Sequence, residues 1–199
     1  MIKFVNISKE EPYKIFKEKY EDALKADQKT IEAIAISSYC KSNNEVHSRF
    51  VNLKFIKNKE FIFFSNYESP KAKQFEMHSQ ITALLYWNCT NTQIRMKANI
   101  SKLSSTYSDE HFKNRSPDKN ALAISSKQSS QIDSYEAVID NYDNALKKSD
   151  LNKRPKYWGG YSFMPFYFEF WDGHQSRINK RILFELDKNK IWKRTYLQP

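Results

Sequence analysis

A chain of 199 residues, 40% hydrophobic and 28% charged, is long enough for one compact domain and too apolar for a mainly disordered polypeptide. Only three glycines occur (Gly159, Gly160 and Gly173), so neither GxGxxG nor GxxxxGK[ST] can be written, and HExxH and CxxC are absent too. Lys and Arg number 33 against 23 Asp and Glu, a net +10 that points to anionic partners or to a solvated basic surface. No run of five basic residues exists, which argues against a nucleic-acid-binding tail.

No apolar run approaches the ~20 residues of a membrane span, and MIKFVNISKEEPYKIF lacks the apolar core of a signal peptide. With only Cys40 and Cys89, no disulfide framework is expected and the cytoplasm is the expected compartment. The pattern reads as a single domain, 1–199. A helix over about 9–26 opens it: Ser8 and Glu11 have capping-box spacing, and Tyr13, Phe16, Tyr20 and Leu24 recur at helical intervals. Strands follow at Ile31–Ser38, Val46–Ile56 and Glu60–Asn66, with asparagine-rich turns between them where glycine is scarce. A short helix starts at Ser69-Pro70, and strands return at Gln80–Asn88 and Thr92–Leu103. A helical insertion spans about 105–147, and its last helix carries an apolar stripe (Tyr135, Val138, Ile139, Tyr142, Leu146) that reads as core. Strands at Ser162–Trp171, Arg177–Leu186 and Ile191–Leu197 close the chain. The fold class is mainly β with α, an antiparallel barrel flanked by helices.

Four scattered histidines (47, 78, 111, 174) give no metal spacing, and no metal site is expected. Cationic and amide residues beside aromatic strands carry more information: Arg49, Lys54, Lys71, Gln93, the Lys127-Gln128-Ser129-Ser130 segment, and Trp171, Arg177 and Arg181 in the terminal hairpin. Arginine offers phosphate a forked pair of donors and lysine a point charge; without glycine-rich loops, a phosphate must be held by such side chains. The same residues serve equally as gatekeepers on strand edges. Arg49 and Lys54 are five apart, so on a flat strand they face opposite ways and share a ligand only across a twist or bulge.

Five segments in order, Arg49-Phe-Val-Asn-Leu-Lys54, Phe61-Ile-Phe-Phe-Ser-Asn-Tyr-Glu-Ser69, Ser126-Lys-Gln-Ser-Ser130, Tyr157-Trp-Gly-Gly160 and Glu169-Phe-Trp171 followed by Arg177 and Arg181, resemble the pyridoxamine 5'-phosphate oxidase family. The resemblance runs from about Arg49 to Pro199. It implies an FMN-binding split β-barrel and a homodimer with FMN in clefts at the interface. It also implies oxidation of pyridoxamine or pyridoxine 5'-phosphate to pyridoxal 5'-phosphate, with O2 taking the electrons and H2O2 released. Motif by motif, the cofactor set falls on Arg49, Phe50, Val51, Lys54, Phe64, Ser65, Lys71, Gln93, Gln128, Ser129, Trp171 and Arg181. The substrate set falls on Lys54, His111, Arg115, Lys119, Arg177 and Asn179, with Arg177 and Asn179 catalytic.

The chain departs from the family pattern at Pro70, where a basic residue is usual, at His111 for tyrosine, at Lys119 for serine and at Asn179 for histidine. His111 and Lys119 add potential positive charge to a phosphate pocket formed with Lys54 and Arg115; Arg115 could instead cap the preceding helix. Two other readings stay open: a related FMN oxidase acting on another ring, as in phenazine-forming relatives, and a flavin-binding protein without catalysis.

Overall fold

Helix α1 (Glu11–Lys25) forms from a segment whose first turn carries Pro12 and an acidic residue, both suited to a helix start. Its cap is Glu10, without a side-chain bond; Ser8 Oγ accepts from Glu10 N at 3.2 Å, so the expected capping box is not made. Tyr13, Phe16, Tyr20 and Ala23 are buried, whereas Leu24 points outward; the apolar stripe is one residue narrower than its spacing suggests. The structure, a computed structural model, describes residues 1–199.

The strands are β1 (Lys3–Val5), β2 (Ala33–Cys40), β3 (Glu45–Asn52), β4 (Phe55–Lys57), β5 (Glu60–Asn66), β6 (Gln80–Trp87), β7 (Thr92–Lys102), β8 (Trp158–Asp172), β9 (Lys180–Leu186) and β10 (Trp192–Leu197). The helices after α1 are α2 (Pro70–Met77), α3 (Ser105–Lys113), α4 (Pro117–Ser125) and α5 (Tyr135–Lys148). The sheet runs β1-β4-β5-β8-β7-β6-β2-β3, and β9 and β10 continue from β8. Only β1 and β4 pair parallel, and β1 is a strand too short to read from sequence.

Strand β8 organises this sheet. Along one edge it pairs with β7; along the other Trp158–Phe163 pair with β5 and Tyr167–Asp172 with β9. Pro165 has no N–H to give a ladder, and the β7–β8 register shifts between Lys97 and Ala98, leaving Phe166 as an extra residue. One edge of β8 thereby divides into two arms, which is the split β-barrel. Its interior is aromatic: Phe16 meets Phe61 and Trp87 edge-on, at centroid distances of 5.1 and 5.9 Å, so α1 packs on the core through rings.

Three expectations change. The strand read over Val46–Ile56 breaks at Leu53-Lys54, where Leu53 N donates to Glu32 O and Lys54 N to Ile62 O, leaving β3 for a new neighbour. The α5 stripe is not core: only Ala145 is buried, and Tyr135 and Ile139 are exposed because α5 packs against α4 rather than the barrel. The strand read from Arg177 begins at Lys180, because Arg177 adopts φ +60° in the preceding loop. The turn reading of asparagine holds: Asn6, Asn44, Asn58 and Asn91 have positive φ and no glycine does. Glycine serves close approach instead; a Cβ on Gly159 would lie 2.2 Å from the Tyr67 hydroxyl. No helix is long and apolar enough to cross a membrane.

Candidate active site

Two groups of cations gather near the carboxyl end of β5. In the first, β3 carries Arg49 beside β2, and Arg49 Nη1 donates to Ser38 Oγ at 2.6 Å and to Ile36 O at 3.2 Å. Arg49 Nη2 reaches Gln74 Oε1 on α2 at 2.9 Å, and Ser38 Oγ donates to the same oxygen at 2.6 Å. Lys71 lies three residues before Gln74, on the same helix face. Its buried Nζ donates to Gln128 Oε1 at 2.5 Å and to Ser69 Oγ at 3.2 Å, and Ser65 Oγ donates to Gln128 Oε1 at 3.1 Å. Burial, with Arg49 adding to it, pushes the Lys71 amine down to about 8, and burial lowers Arg49 as well.

The second group is built on α3 and α4. Arg115 follows the end of α3, but its guanidinium turns to α4, donating to Asn120 Oδ1 at 3.1 Å and Lys119 O at 2.9 Å; it does not cap α3. Its Cζ lies 4.3 Å over the Trp158 ring, and burial lowers its basicity to about 10. Asn120 fixes this corner by donating to Phe112 O and Leu151 O. Lys54, just past the break after β3, belongs here: burial lowers it, Glu32 opposes this, and Lys119 and Arg115 depress it further. Lys54 thus lies among the cations of the second group and Arg49 among those of the first. The break between them removes the flat strand on which they would face opposite ways.

His111 stacks on Phe64 with centroids 3.7 Å apart and planes within 14°, and Phe64 stacks in turn near Trp158 at 5.3 Å. Burial, then Arg115, Lys54 and Lys3, push the imidazole down to about 4, so His111 is neutral near pH 7. The reading of His111 as an added cation is corrected: it acts as an aromatic wall. Phe64, Ser65, Arg115, Lys119, Gln128 and Trp158 line a cleft of about 180 Å³ between the two groups. No carboxylate pairs with Arg49, Lys54, Lys71, Arg115 or Lys119. Lys71 is buried, Arg49, Lys54 and Arg115 are half-buried and Lys119 is exposed; cations left without carboxylate partners suit an anion, and two such groups suit two.

The other expected residues lie elsewhere. Gln93 pairs across from Trp171, and Trp171 across from Arg181, at the far end of β8. Ser65 pairs with Gly159 at the near end. Gly159 and Trp171 are twelve positions apart on one strand, roughly 40 Å of extended chain. Arg177 is exposed in the Gly173–Asn179 loop at that far end, where Asn179 Oδ1 accepts from His174 N at 2.9 Å. The expected shared strand face of Arg177 and Asn179 is absent, since the left-handed turn at Arg177 breaks the alternation. Phe50 is 74% exposed, Val51 packs on the core and Ser129 is exposed with φ +69°. Ser38 and Asn120 carry no sequence signal, since their roles depend on register and packing; Trp158 lies within the Tyr157-Trp-Gly-Gly160 segment, and the three-residue spacing of Lys71 and Gln74 on one helix is readable.

Sheet order defines the class: a split β-barrel, with two groups of cations that form no ion pair gathered near the carboxyl end of β5. The structure of an FMN-binding, pyridoxamine 5'-phosphate oxidase-related protein from Nostoc punctiforme shares the fold (TM-score 0.77, 14% identity, 92% of this chain and 97% of that one). PhzG from Burkholderia lata 383, solved with tetrahydrophenazine-1-carboxylic acid, superposes with a TM-score of 0.88 at 28% identity, over 95% of this chain and 93% of its own. The family model for the pyridoxine 5'-phosphate oxidase C-terminal dimerisation region matches residues 158–199. The pyridoxine/pyridoxamine 5'-phosphate oxidase 1 of Hydrogenovibrio crunogenus is 32% identical over 192 residues, covering 95% of this chain and 88% of that protein. The corresponding oxidase of Polynucleobacter asymbioticus is 33% identical over 190 residues, 94% and 89%. The chain belongs to the pyridoxine/pyridoxamine 5'-phosphate oxidase family, a family of oxidoreductases.

Proposed function

We propose that this protein oxidises pyridoxamine 5'-phosphate and pyridoxine 5'-phosphate to pyridoxal 5'-phosphate, using FMN, with O2 as electron acceptor and H2O2 as product. The observation that carries the reading is two cation groups that form no ion pair beside one aromatic-walled cleft, one giving it Arg115 and Lys119 and the other reaching it through Ser65 and Gln128: two phosphate sites for two phosphorylated ligands. Arg49 and Lys71, with Ser65 and Gln128, take the FMN phosphate; the glutamine oxygens they now donate to are neutral acceptors that a phosphate outcompetes. Lys54, Arg115 and Lys119 take the substrate phosphate, and the His111–Phe64 stack forms the wall beside it.

Bound FMN supplies the hydride acceptor. The protein's part is placement, since a misplacement on the order of 1 Å costs about 100-fold. Arg177 and Asn179 are assigned to the substrate ring, and Gln93, Trp171 and Arg181 to the cofactor. Because they sit at the opposite end of β8 from Ser65, one ligand meets both sets only if a second copy supplies the far-end residues. This supports a homodimer with composite sites, in keeping with the dimerisation region matched over 158–199, and the exposed Phe50 of edge strand β3 suits such an interface. We assign it to the cytoplasm.

A second reading is an FMN oxidase for another ring, favoured by the likeness to PhzG and by Asn179. An aerobic assay with both phosphorylated vitamers, run beside the visible spectrum and sedimentation of the purified protein, decides. Pyridoxal 5'-phosphate formation by a yellow dimer is expected. A yellow dimer inert toward both vitamers supports the second reading or a flavin-binding protein without catalysis, and a colourless protein that takes up no FMN ends all three.

A further inference from the structure

At the far end of β8, Glu169 is 3% exposed, yet its carboxylate accepts five hydrogen bonds. Arg181 Nε and Nη2 donate to Oε1 at 3.0 and 2.7 Å. Arg95 Nε donates to Oε2 at 3.0 Å, joined on that oxygen by Arg95 Nη2 and by the Tyr167 hydroxyl at 2.9 Å. Burial pushes this carboxyl up, but the bonds from Arg95, Arg181 and Tyr167 outweigh it and hold the group ionised. One buried carboxylate therefore divides itself between two arginines on opposite neighbouring strands, β7 and β9.

The bonding leaves Arg181 in a defined state. Its Nη1 donates to Gln198 O at 2.8 Å, so three of five N–H groups are committed and one stays free on each terminal nitrogen. A long side chain that would otherwise sample many rotamers is held with two N–H donors to spare. One buried charge facing two cations also leaves the cluster with a net positive charge.

We propose that Glu169 is a positioning residue for the cofactor site: it acts through Arg181, fixing the orientation in which that guanidinium meets FMN. The inference rests on the assignment of Arg181 to the cofactor under the proposed function. Arg95 completes the device, since without a second arginine on Oε2 the carboxylate would be free to turn.

The test is a double-mutant cycle on FMN affinity, measured by quenching of flavin fluorescence on titration with flavin-free protein, with thermal melting run in parallel. Glu169→Gln is expected to weaken FMN binding about tenfold, and Arg181→Ala by at least as much. The double variant should bind about as Arg181→Ala alone, because the first change acts only through the second residue. Multiplying effects, or unaltered FMN affinity in a folded Glu169→Gln protein whose melting temperature alone has dropped, overturns the proposal. If Glu169→Gln does not fold, Glu169→Asp keeps the charge but withdraws it, and the same cycle is read with that variant. A wild-type protein that binds no FMN refutes the underlying functional reading, whereas normal FMN binding with an uncoupled cycle refutes the positioning role alone.

Discussion

Lys71→Met separates the cost of the first cation group from its use. The amine is buried, has no acidic partner and is held at about 8 against the usual lysine value near 10.5. That difference corresponds to on the order of 3 kcal/mol against the charged form, and discounting for solvent screening leaves about 1–2 kcal/mol. Since the folded-state value is depressed, the unfolded chain holds more protons between pH 8 and 10.5, and wild-type stability should rise through that window. Methionine fills similar space without a charge, so at pH 7 the flavin-free variant should melt higher, by about 2–4 °C per kcal/mol, and should lose the rise above pH 8. FMN affinity should move the other way: a charge-assisted bond to phosphate is worth roughly 1.5–3 kcal/mol, about 10- to 150-fold in Kd. Wild-type FMN affinity should also weaken above about pH 8 as the amine deprotonates. Calorimetric melting of the flavin-free proteins and fluorescence titration with FMN read both halves. A variant that melts lower and binds FMN as tightly as wild type would refute the reasoning.

Arg115→Ala should raise KM for the phosphorylated vitamers about 10- to 150-fold while changing flavin content little, and pyridoxine itself should be a far poorer substrate than its 5'-phosphate; steady-state kinetics with both compounds checks this. His111 stays neutral down to about pH 4, so the folded protein should lose stability as pH falls from about 6.5 toward 4, and His111→Tyr should flatten that loss in melts across this range. Arg177→Ala should keep FMN and cut turnover sharply. Asn179→His should keep flavin and alter kcat/KM or its pH dependence near neutrality; an unchanged profile together with an active Arg177→Ala would remove both residues from the substrate site.

What was legible in this chain follows the range of the interactions involved. Alternation and turn chemistry delimit β5 to the residue, because Glu60–Asn66 lies between an asparagine turn and the Ser69-Pro70 helix start, both local signals. The break at Leu53-Lys54 was invisible, since it is made by Glu32 O and Ile62 O, partners that only tertiary pairing supplies. The α5 stripe misled for the converse reason: period 3.6 reports a face, not what covers it, and in one protomer that face meets α4 and solvent. At the site, Arg49, Lys71, Arg115 and Gln128 were legible as residue types suited to phosphate. Their division into two groups was not, because it depends on which strand each cation leaves and where it stops. The neutrality of His111 likewise follows from burial against Phe64 among cations, which sequence does not display.

The asparagines in left-handed turns do more than replace glycine. Asn44, in the β2–β3 turn, accepts a hydrogen bond from the Tyr39 hydroxyl at 2.5 Å, and Asn91, before β7, accepts one from Tyr86 at 3.1 Å. Each pin ties a turn to an aromatic residue five positions back along its own hairpin, so sliding the strands by one residue would pull the tyrosine off the amide as well as turning every buried side chain outward. Glycine at either turn would relax the backbone but leave nothing for the tyrosine to grip. The scarcity of glycine thereby becomes a safeguard against slippage: these two hairpins carry part of their alignment in their own turns.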